Sequence, residues 1–308
     1  MPRFGILASL VSIAIVAGLI WVLEPETVVS AFSEIPLSLV LAALVIVQLQ
    51  IILSAFRWRF TAARLGHLMP PGLVLREYYA SSLLNQVLPG GMAGDAIRAY
   101  RAREDGSGGW KRPATAVVFE RLSGQLAFFV LMGIGLIAWP VLVTTRLPEH
   151  YLSLIAVFLA IAVLLVLMGL LVWKTRVSER LEQLKPDLVR VFWADKACVI
   201  QAGLSSLIVG GYVATFMIAS HAVGAPLPWI AALTAIPLCL LTMLIPAGIG
   251  GWGTREAAAA ALWPIFGYSS AEGLSASLLY GLLSLAGAAL PGIIVIAHSL
   301  WRGRILRA

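Results

Sequence analysis

One motif occurs twice in this chain, once in each half. The first copy runs Pro89-Gly90-Gly91-Met92-Ala93-Gly94-Asp95-Ala96-Ile97-Arg98. The second runs Pro246-Ala247-Gly248-Ile249-Gly250-Gly251-Trp252-Gly253-Thr254-Arg255. Both fit Pro-x-Gly-x-x-Gly-x-x-x-Arg, at an offset of 157 residues from Pro89 to Pro246. Each copy follows an apolar stretch. Glycine- and proline-broken apolar segments in matching positions of two halves point to a transporter's central site.

The surroundings of the motifs make that setting a membrane. The chain is 60% apolar and 12% charged, with a mean hydropathy of +0.93. A soluble domain is about 45–50% apolar. Cys198 and Cys239 both lie in apolar runs and read as small buried hydrophobes, with no disulfide framework. No metal spacing, cofactor motif or nucleic-acid motif is visible. Met1 to Leu23 resembles a signal peptide, but the apolar run is about 20 residues long, enough for a span. Glu24-Pro25-Glu26 follows it in place of a small-residue cleavage site, so it reads as an uncleaved first span.

Candidate spans cover 4–23, 36–56, 114–139, 151–173, 198–221 and 274–300, and two broken segments cover 77–97 and 229–266. Positive-inside counting orients them. With Arg3 cytoplasmic, the acidic 24–35 loop lies outside. Arg57, Arg59, Arg64 and Arg76 then lie inside, as do Arg98, Arg101, Arg103, Lys111 and Arg112. Segment 77–97 begins and ends on one side, so it must be re-entrant. The same count makes 229–266 re-entrant from the opposite face. It puts 20 of the 22 Lys and Arg on the cytoplasmic side, with both termini, leaving Arg146 and Arg255. The net charge of +7 thus reflects topology and an anionic leaflet, and says nothing of nucleic acid.

The expected fold is an all-α polytopic membrane protein. It has about six transmembrane helices and two oppositely directed re-entrant helical hairpins that form an inverted repeat. Residues 1–308 make one membrane domain, with repeat units 36–139 and 198–300. Gly124 and Gly281 also match at the repeat offset. The 174–197 stretch reads as a cytoplasmic interfacial loop, with Val177, Leu181, Leu184, Leu188 and Val191 at helical spacing and Pro186 interrupting.

Pro89 and Pro246 break their helices, and the motif glycines Gly90, Gly91, Gly94, Gly248, Gly250 and Gly251 permit a sharp turn. Such a tip exposes backbone N–H groups at a helix N-terminus, which favours an anion such as phosphate. Arg98 and Arg255 follow within a turn or two, and guanidinium binds phosphate bidentately. The alternative is that the glycines serve only close helix packing and the arginines snorkel. Asp95, Glu120 and Glu256 are acids at membrane depth, candidates for charge balance or proton coupling. Asp95 and Arg98 share a helical face. Glu120-Arg121 opens a span. Arg57-Trp58-Arg59 ends one, as an interfacial anchor or as a site that captures a lipid phosphate. Asn85 is a polar contact for the first tip.

These residues, taken in order from Arg57-Trp58-Arg59 through Asn85 to Arg98, then Glu120-Arg121, then Ile245 to Glu256, resemble the membrane region of lysylphosphatidylglycerol synthases and its stand-alone relatives. The resemblance covers nearly the whole chain. It implies two re-entrant hairpins and movement of lipids between leaflets, in the synthases of aminoacylated phosphatidylglycerol. The chain ends at Ala308 with no soluble aminoacyl-transferase domain, so it is not expected to make lysyl-lipid by itself. Relatives are linked to hopanoids and polyprenyl-linked lipids, and nothing here selects among these and phospholipids.

The expectation is a non-enzymatic lipid flippase of the bacterial cytoplasmic membrane, with no cofactor, metal or catalytic residue. Arg57, Arg59, Asn85, Arg98, Arg121, Arg255 and the motif glycines would hold the headgroup. The alternatives are an intramembrane lipid-modifying enzyme and a non-catalytic partner of a separate lipid-synthesis enzyme. A homodimer is left open.

Overall fold

The computed structural model describes residues 2–23, 25–88, 91–103, 109–142, 177–244 and 249–301. Its elements are helices: α1 Pro2–Val22, α2 Pro25–Ser30, α3 Leu37–Arg64, α4 Pro71–Val87, α5 Ala93–Arg101 and α6 Lys111–Leu142. Then come α7 Val177–Phe192, α8 Ala197–Ala222, α9 Ala235–Leu241, α10 Thr254–Leu262 and α11 Ser270–Trp301. Short 3-10 turns at Ala194–Lys196, Trp229–Ala232, Thr242–Leu244 and Trp263–Phe266 join them. The order α3, α4, α5, α6 recurs as α8, α9, α10, α11, roughly one motif offset later.

Four stretches are long and apolar enough to cross a membrane: Leu37–Arg64, Lys111–Ala138, Ala194–Ala222 and Ser270–Ser299. They coincide with the expected spans 36–56, 114–139, 198–221 and 274–300. Helix α1 overlaps the expected 4–23 without being one of the four, and the expected 151–173 lies outside the described residues, as do Pro89, Gly90, Pro246 and Gly248.

Local sequence explains the helix ends. In α3, Gly66 (φ 81°) follows the last turn, its N–H donating to Ala63 O while His67 N–H reaches Ala62 O. Helix α8 ends the same way: Gly224 (φ 83°) donates to His221 O and Ala225 to Ser220 O. Glycine adopts this left-handed turn without a Cβ penalty. Helix α11 opens on a capping box, Ser269 N–H donating to Glu272 Oε2 at 2.6 Å and Glu272 N–H to Ser269 Oγ at 3.2 Å. Pro291 inside α11 leaves the Gly287 carbonyl without its helical donor. The Gln48 amide fills the gap, donating to Gly287 O at 2.9 Å.

Apolar and polar residues are arranged inside out. Leu37, Leu41, Val45 and Leu49 are exposed along α3 at steps of four, and Val118, Leu122, Leu126, Val130 and Ile134 along α6. Gln50, Arg57, Glu77, Asp95, Arg98, Glu120, Arg255 and Glu256 are buried. Apolar stripes of that length face lipid, and polar groups at that depth turn toward the bundle interior. Two sequence expectations are corrected here. Cys198 is exposed on α8, and only Cys239 is buried. Pro186 does not interrupt the amphipathic stretch, which is the single helix α7. The apolar side of α7, with Leu188, Val191 and Phe192, packs on Trp58, Val117 and Phe119.

Helix α11 serves as a ruler for the two broken segments. From its N-terminal end, Gly273 lies against Ala259 and Trp263, and Gly281 against Arg255 and Trp252. Toward its C-terminal end, Ser284 O accepts from Gln86, Gly292 lies against Leu83 and Tyr79, and Ser299 Oγ accepts from Arg101 at 2.8 Å. Helix α10 thus lies along one half of α11 and α4 along the other. Their turns meet near its middle: a Cβ on Gly91 would sit 3.6 Å from Gly250 Cα, and one on Gly250 2.8 Å from Gln86 Cα. The pairing on α6 is crossed: its N-terminal half carries the α5 contacts of Glu120 and Arg121, while Gly135 packs on Leu233 just before α9. At 1.5 Å per residue α4 is about 25 Å long and α9 about 10 Å, both short of a hydrocarbon core of about 30 Å.

Helix α5 runs back along α4 because Gly94 has no side chain. A Cβ there would collide with Ser81 O and lie 2.8 Å from Asn85 Oδ1. Gly94→Ala is expected to destabilise the protein by about 1–3 kcal/mol through overpacking. Gly203→Ala on α8, where a Cβ meets nothing within 4 Å, is expected to be neutral or stabilising. Thermal unfolding of both variants in one detergent checks the contrast.

Candidate functional site

The site grows from the face that α5 turns toward α3, α4 and α6. Asp95 and Arg98 are three residues apart and share that face, with Nε and Oδ1 3.0 Å apart. The neighbouring helices complete the cluster. Glu120 of α6 lies between two guanidiniums, Oε1 accepting from Arg57 at 2.7 Å and Oε2 from Arg98 at 2.8 Å. Arg121 donates to Asp95 Oδ2 at 2.7 Å. Arg57 also donates to Ser205 Oγ at 3.0 Å, and the Tyr78 hydroxyl to Glu120 Oε1 at 3.3 Å. The Arg98 guanidinium lies against the Trp58 ring at 4.7 Å and the Tyr78 ring at 4.5 Å. The two rings lie 6.4 Å apart and tilted, forming a corner around the cation that partly compensates it for lost water.

Three arginines and two carboxylates leave this cluster with a net charge of +1. It is closed on one side and open on the other: Arg98 and Glu120 side chains are each 1% exposed, Arg121 41%. Arg98 Nη1 and Arg57 Nε are buried without a hydrogen-bond partner. A buried unpartnered donor costs about 1–3 kcal/mol, more when charged.

The second half builds a related site with different residues. Arg255 Nε donates to Ser277 Oγ at 3.0 Å, and both Nε and Nη2 meet Glu256 Oε1. Trp252 at 5.1 Å and Tyr280 at 4.9 Å face its guanidinium. Glu256 Oε2 accepts from Gly253 N–H at 2.7 Å, capping α10 with its own carboxylate. Ser277 stands at the repeat offset from Glu120. The acid that α6 supplies to the first site is thus supplied next to the arginine in the second, whose net charge is zero. Ser12 ties α1 to this turn, donating to Trp252 O at 2.7 Å and accepting from Ile249 N–H at 2.9 Å.

These placements sort the expected site residues. Arg57, Asp95, Arg98, Glu120 and Arg121 meet in one cluster, Arg255 and Glu256 in another. Asn85 Oδ1 accepts from Asp95 N–H at 3.3 Å, and Gly91, Gly94, Gly250 and Gly251 line the turns. Arg59 stands apart, exposed and donating to Met69 O at 2.9 Å. Arg57 and Trp58 are buried, which overturns the interfacial-anchor alternative for both. Gly124 and Gly281 gain a physical meaning. A Cβ on Gly124 would lie 3.1 Å from Arg57 Nη2, and one on Gly281 would collide with Arg255 Nη2.

The sequence as a whole matches the lysylphosphatidylglycerol synthase TM region over residues 9–292. The chain belongs to this family. No curated protein matches it. In this lysylphosphatidylglycerol synthase TM-family member, a multi-pass membrane protein, both charge clusters fall inside the matched region, consistent with lipid handling. Among its described residues no group of three or more His, Cys, Asp or Glu is placed to hold a metal ion.

Several neighbours of the charge clusters in this family member escape a sequence reading. Trp58, Tyr78, Trp252 and Tyr280 look like ordinary core or belt aromatics until the guanidiniums are placed. Glu77, buried and held by Arg101 at 2.7 Å and Arg76 at 3.0 Å, fastens the base of the α4–α5 pair. Its signal was an acid among basic residues near an apolar run.

Removing one partner from a buried ion pair costs about 3–5 kcal/mol, whereas losing a neutral hydrogen bond costs about 1 kcal/mol. Glu120→Gln is therefore expected to destabilise far more than Ser277→Ala at the matching position. Denaturant unfolding in detergent measures both.

Proposed function

We propose that the protein is a flippase that moves an anionic, phosphate-bearing lipid between the leaflets of a bacterial cytoplasmic membrane. In this proposal α4–α5 and α9–α10 are re-entrant hairpins from opposite faces, within repeat units 36–139 and 198–300 related by inversion. Both termini are cytoplasmic. The crossed pairing along α6 and α11, and hairpin arms shorter than the bilayer core, support that arrangement.

One observation carries the choice of an anion. The cluster at the first hairpin has a net charge of +1, and two of its buried guanidinium donors, Arg98 Nη1 and Arg57 Nε, have no partner. A phosphate oxygen offers acceptors and one compensating charge. The helix N-termini contribute less than the motif suggests, because Asp95 and Glu256 already occupy the first turns of α5 and α10. In the closed arrangement described here Arg98 is out of reach, so binding requires the hairpin to move. Lipid-linked phosphates of phospholipids, aminoacylated lipids and polyprenyl carriers share this chemistry, and so can head groups of modified hopanoids. Synthesis of the lipid would fall to a separate enzyme.

Alanine at Arg98 or Arg255 would strand buried carboxylates, so lysine is the informative change. It keeps the charge and loses the planar fork. In liposomes with headgroup-labelled anionic lipid and a membrane-impermeant quencher, wild-type protein is expected to speed leaflet exchange. Arg98→Lys and Arg255→Lys should each cut the rate about tenfold or more, the loss of roughly 1.4 kcal/mol in a bidentate contact. Arg59→Ala should match wild type. Full activity in both lysine variants would remove the arginines from the site, and a covalently altered lipid would turn the proposal toward an enzyme.

A further inference from the structure

A second polar feature lies between α3 and α8, the matching long helices of the two halves. Gln50, Ser54, Arg57 and Thr61 are spaced four, three and four apart, on one face of α3, and all are buried. Across from them on α8 stand the buried Gln201, Ser205 and Thr215. Three direct bonds join the faces in antiparallel order. Gln201 Nε2 donates to Thr61 Oγ1 at 3.0 Å, Arg57 Nη1 to Ser205 Oγ at 3.0 Å, and Gln50 Nε2 to Thr215 Oγ1 at 2.9 Å. Gly211 admits the Gln50 side chain, since a Cβ there would sit 2.6 Å from Gln50 Cγ. From Gln50 to Thr61 the seam covers about 16 Å of helix, half the hydrocarbon thickness.

Polar side chains between membrane helices often serve as glue, worth about 0.6 kcal/mol per bond. This seam departs from glue in three respects. It is not saturated: Gln201 Oε1 and Arg57 Nε are buried and unpartnered. It runs into the charged cluster, because Arg57 belongs to both. Its end near Thr61 is held shut by a specific clasp, in which Arg64 donates to Arg190 O at 2.9 Å and Ala194 O at 2.7 Å and pairs with Asp195 at 3.1 Å. The clasped turn contains two successive non-glycine residues with left-handed backbone, Asp195 (φ 47°) and Lys196 (φ 61°). Such residues store strain and favour a hinge.

We propose that the α3–α8 seam is the track along which the lipid phosphate crosses the membrane, opened when α3 and α8 part and the Arg64 clasp releases. The proposal rests on the flippase reading above. The phosphate leaves the cluster at Arg57 and is passed among amide and hydroxyl donors of Gln201, Thr61, Ser205, Gln50 and Thr215, while the acyl chains stay in lipid. Apart from Arg57 these donors are neutral. Several weak sites in a row suit transit, because each can be left as readily as it is occupied.

Apolar replacements of similar shape separate a track from glue. Exchanging both members of a buried polar pair for apolar residues leaves stability nearly unchanged. The variants are Gln50→Leu with Thr215→Val, and Gln201→Leu with Thr61→Val. They are assayed in liposomes with headgroup-labelled phosphatidylglycerol, beside their thermal unfolding in detergent. Folded double variants should lose exchange at least tenfold. Folded double variants that exchange at the wild-type rate overturn the track and leave the flippase reading standing. Wild-type protein that exchanges no lipid overturns that reading, and the track with it. If the double variants do not fold, a Gln50→Cys, Thr215→Cys pair is oxidised in protein carrying Cys198→Ala and Cys239→Ala. Bridging should stop exchange reversibly on reduction, and undiminished exchange across the bridge overturns the track.

Discussion

Everything in this fold hangs on how a few charges are kept at membrane depth. The Glu120 carboxylate takes one guanidinium on each oxygen, Arg57 from α3 and Arg98 from α5. Asp95 holds Arg98 and Arg121 in turn, so one ion network ties α3, α5 and α6 together. Helix α5 is nine residues long, below the roughly 12–15 at which an isolated helix becomes marginal. Its position comes from this network and from the absence of a side chain at Gly94. Removing the charges singly would be costly, and that cost gives the short hairpin a defined position without a full span of its own.

Much of the fold is legible in the sequence because the membrane imposes simple rules. Length and apolarity locate α3, α6, α8 and α11, and the spacing of Asp95 and Arg98 places them on one face. The buried Glu120 and Glu256 stand out as acids in apolar runs. Other parts are hidden for physical reasons. Arg57 and Arg59 look like one basic anchor, but residues two apart point to different sides of a helix. Arg57 therefore enters the bundle while Arg59 stays outside. Gly124 and Gly281 match at the repeat offset in the sequence, but their reason appears only when a guanidinium is found against each. The exchange of Glu120 for Ser277 at matching positions is also silent, because the second acid moved to a residue with no counterpart in the motif. The seam of Gln50, Thr61, Gln201 and Thr215 reads as scattered polar residues until α3 and α8 are laid side by side.

The helix breakers follow the same economy. Proline in α11 would leave a bare carbonyl in lipid, and Gln48 of α3 covers it. The tip glycines Gly91 and Gly250 give up side chains so that two turns can touch. The Ile249–Trp252 turn is likewise held by Ser12 of α1. The bundle tolerates broken helices because its long helices carry the missing hydrogen-bond partners.

The difference between the halves gives the clearest direction to function. Both hairpins present an arginine flanked by two aromatic rings, so the cation itself is common to them. Their surroundings are not equal. Arg255 is neutralised by the adjacent Glu256 and shares Ser277 with it, whereas the first cluster keeps an excess positive charge and unpartnered donors. An anion gains more from the first site than from the second, so a symmetric exchange between two equal sites does not fit this chain. The polar seam joins the first cluster at Arg57, through its bond to Ser205. Excess charge, open donors and the polar α3–α8 seam thus converge on the first cluster. Under the proposed function, the first hairpin is the one that holds an anionic headgroup, and the second closes against it.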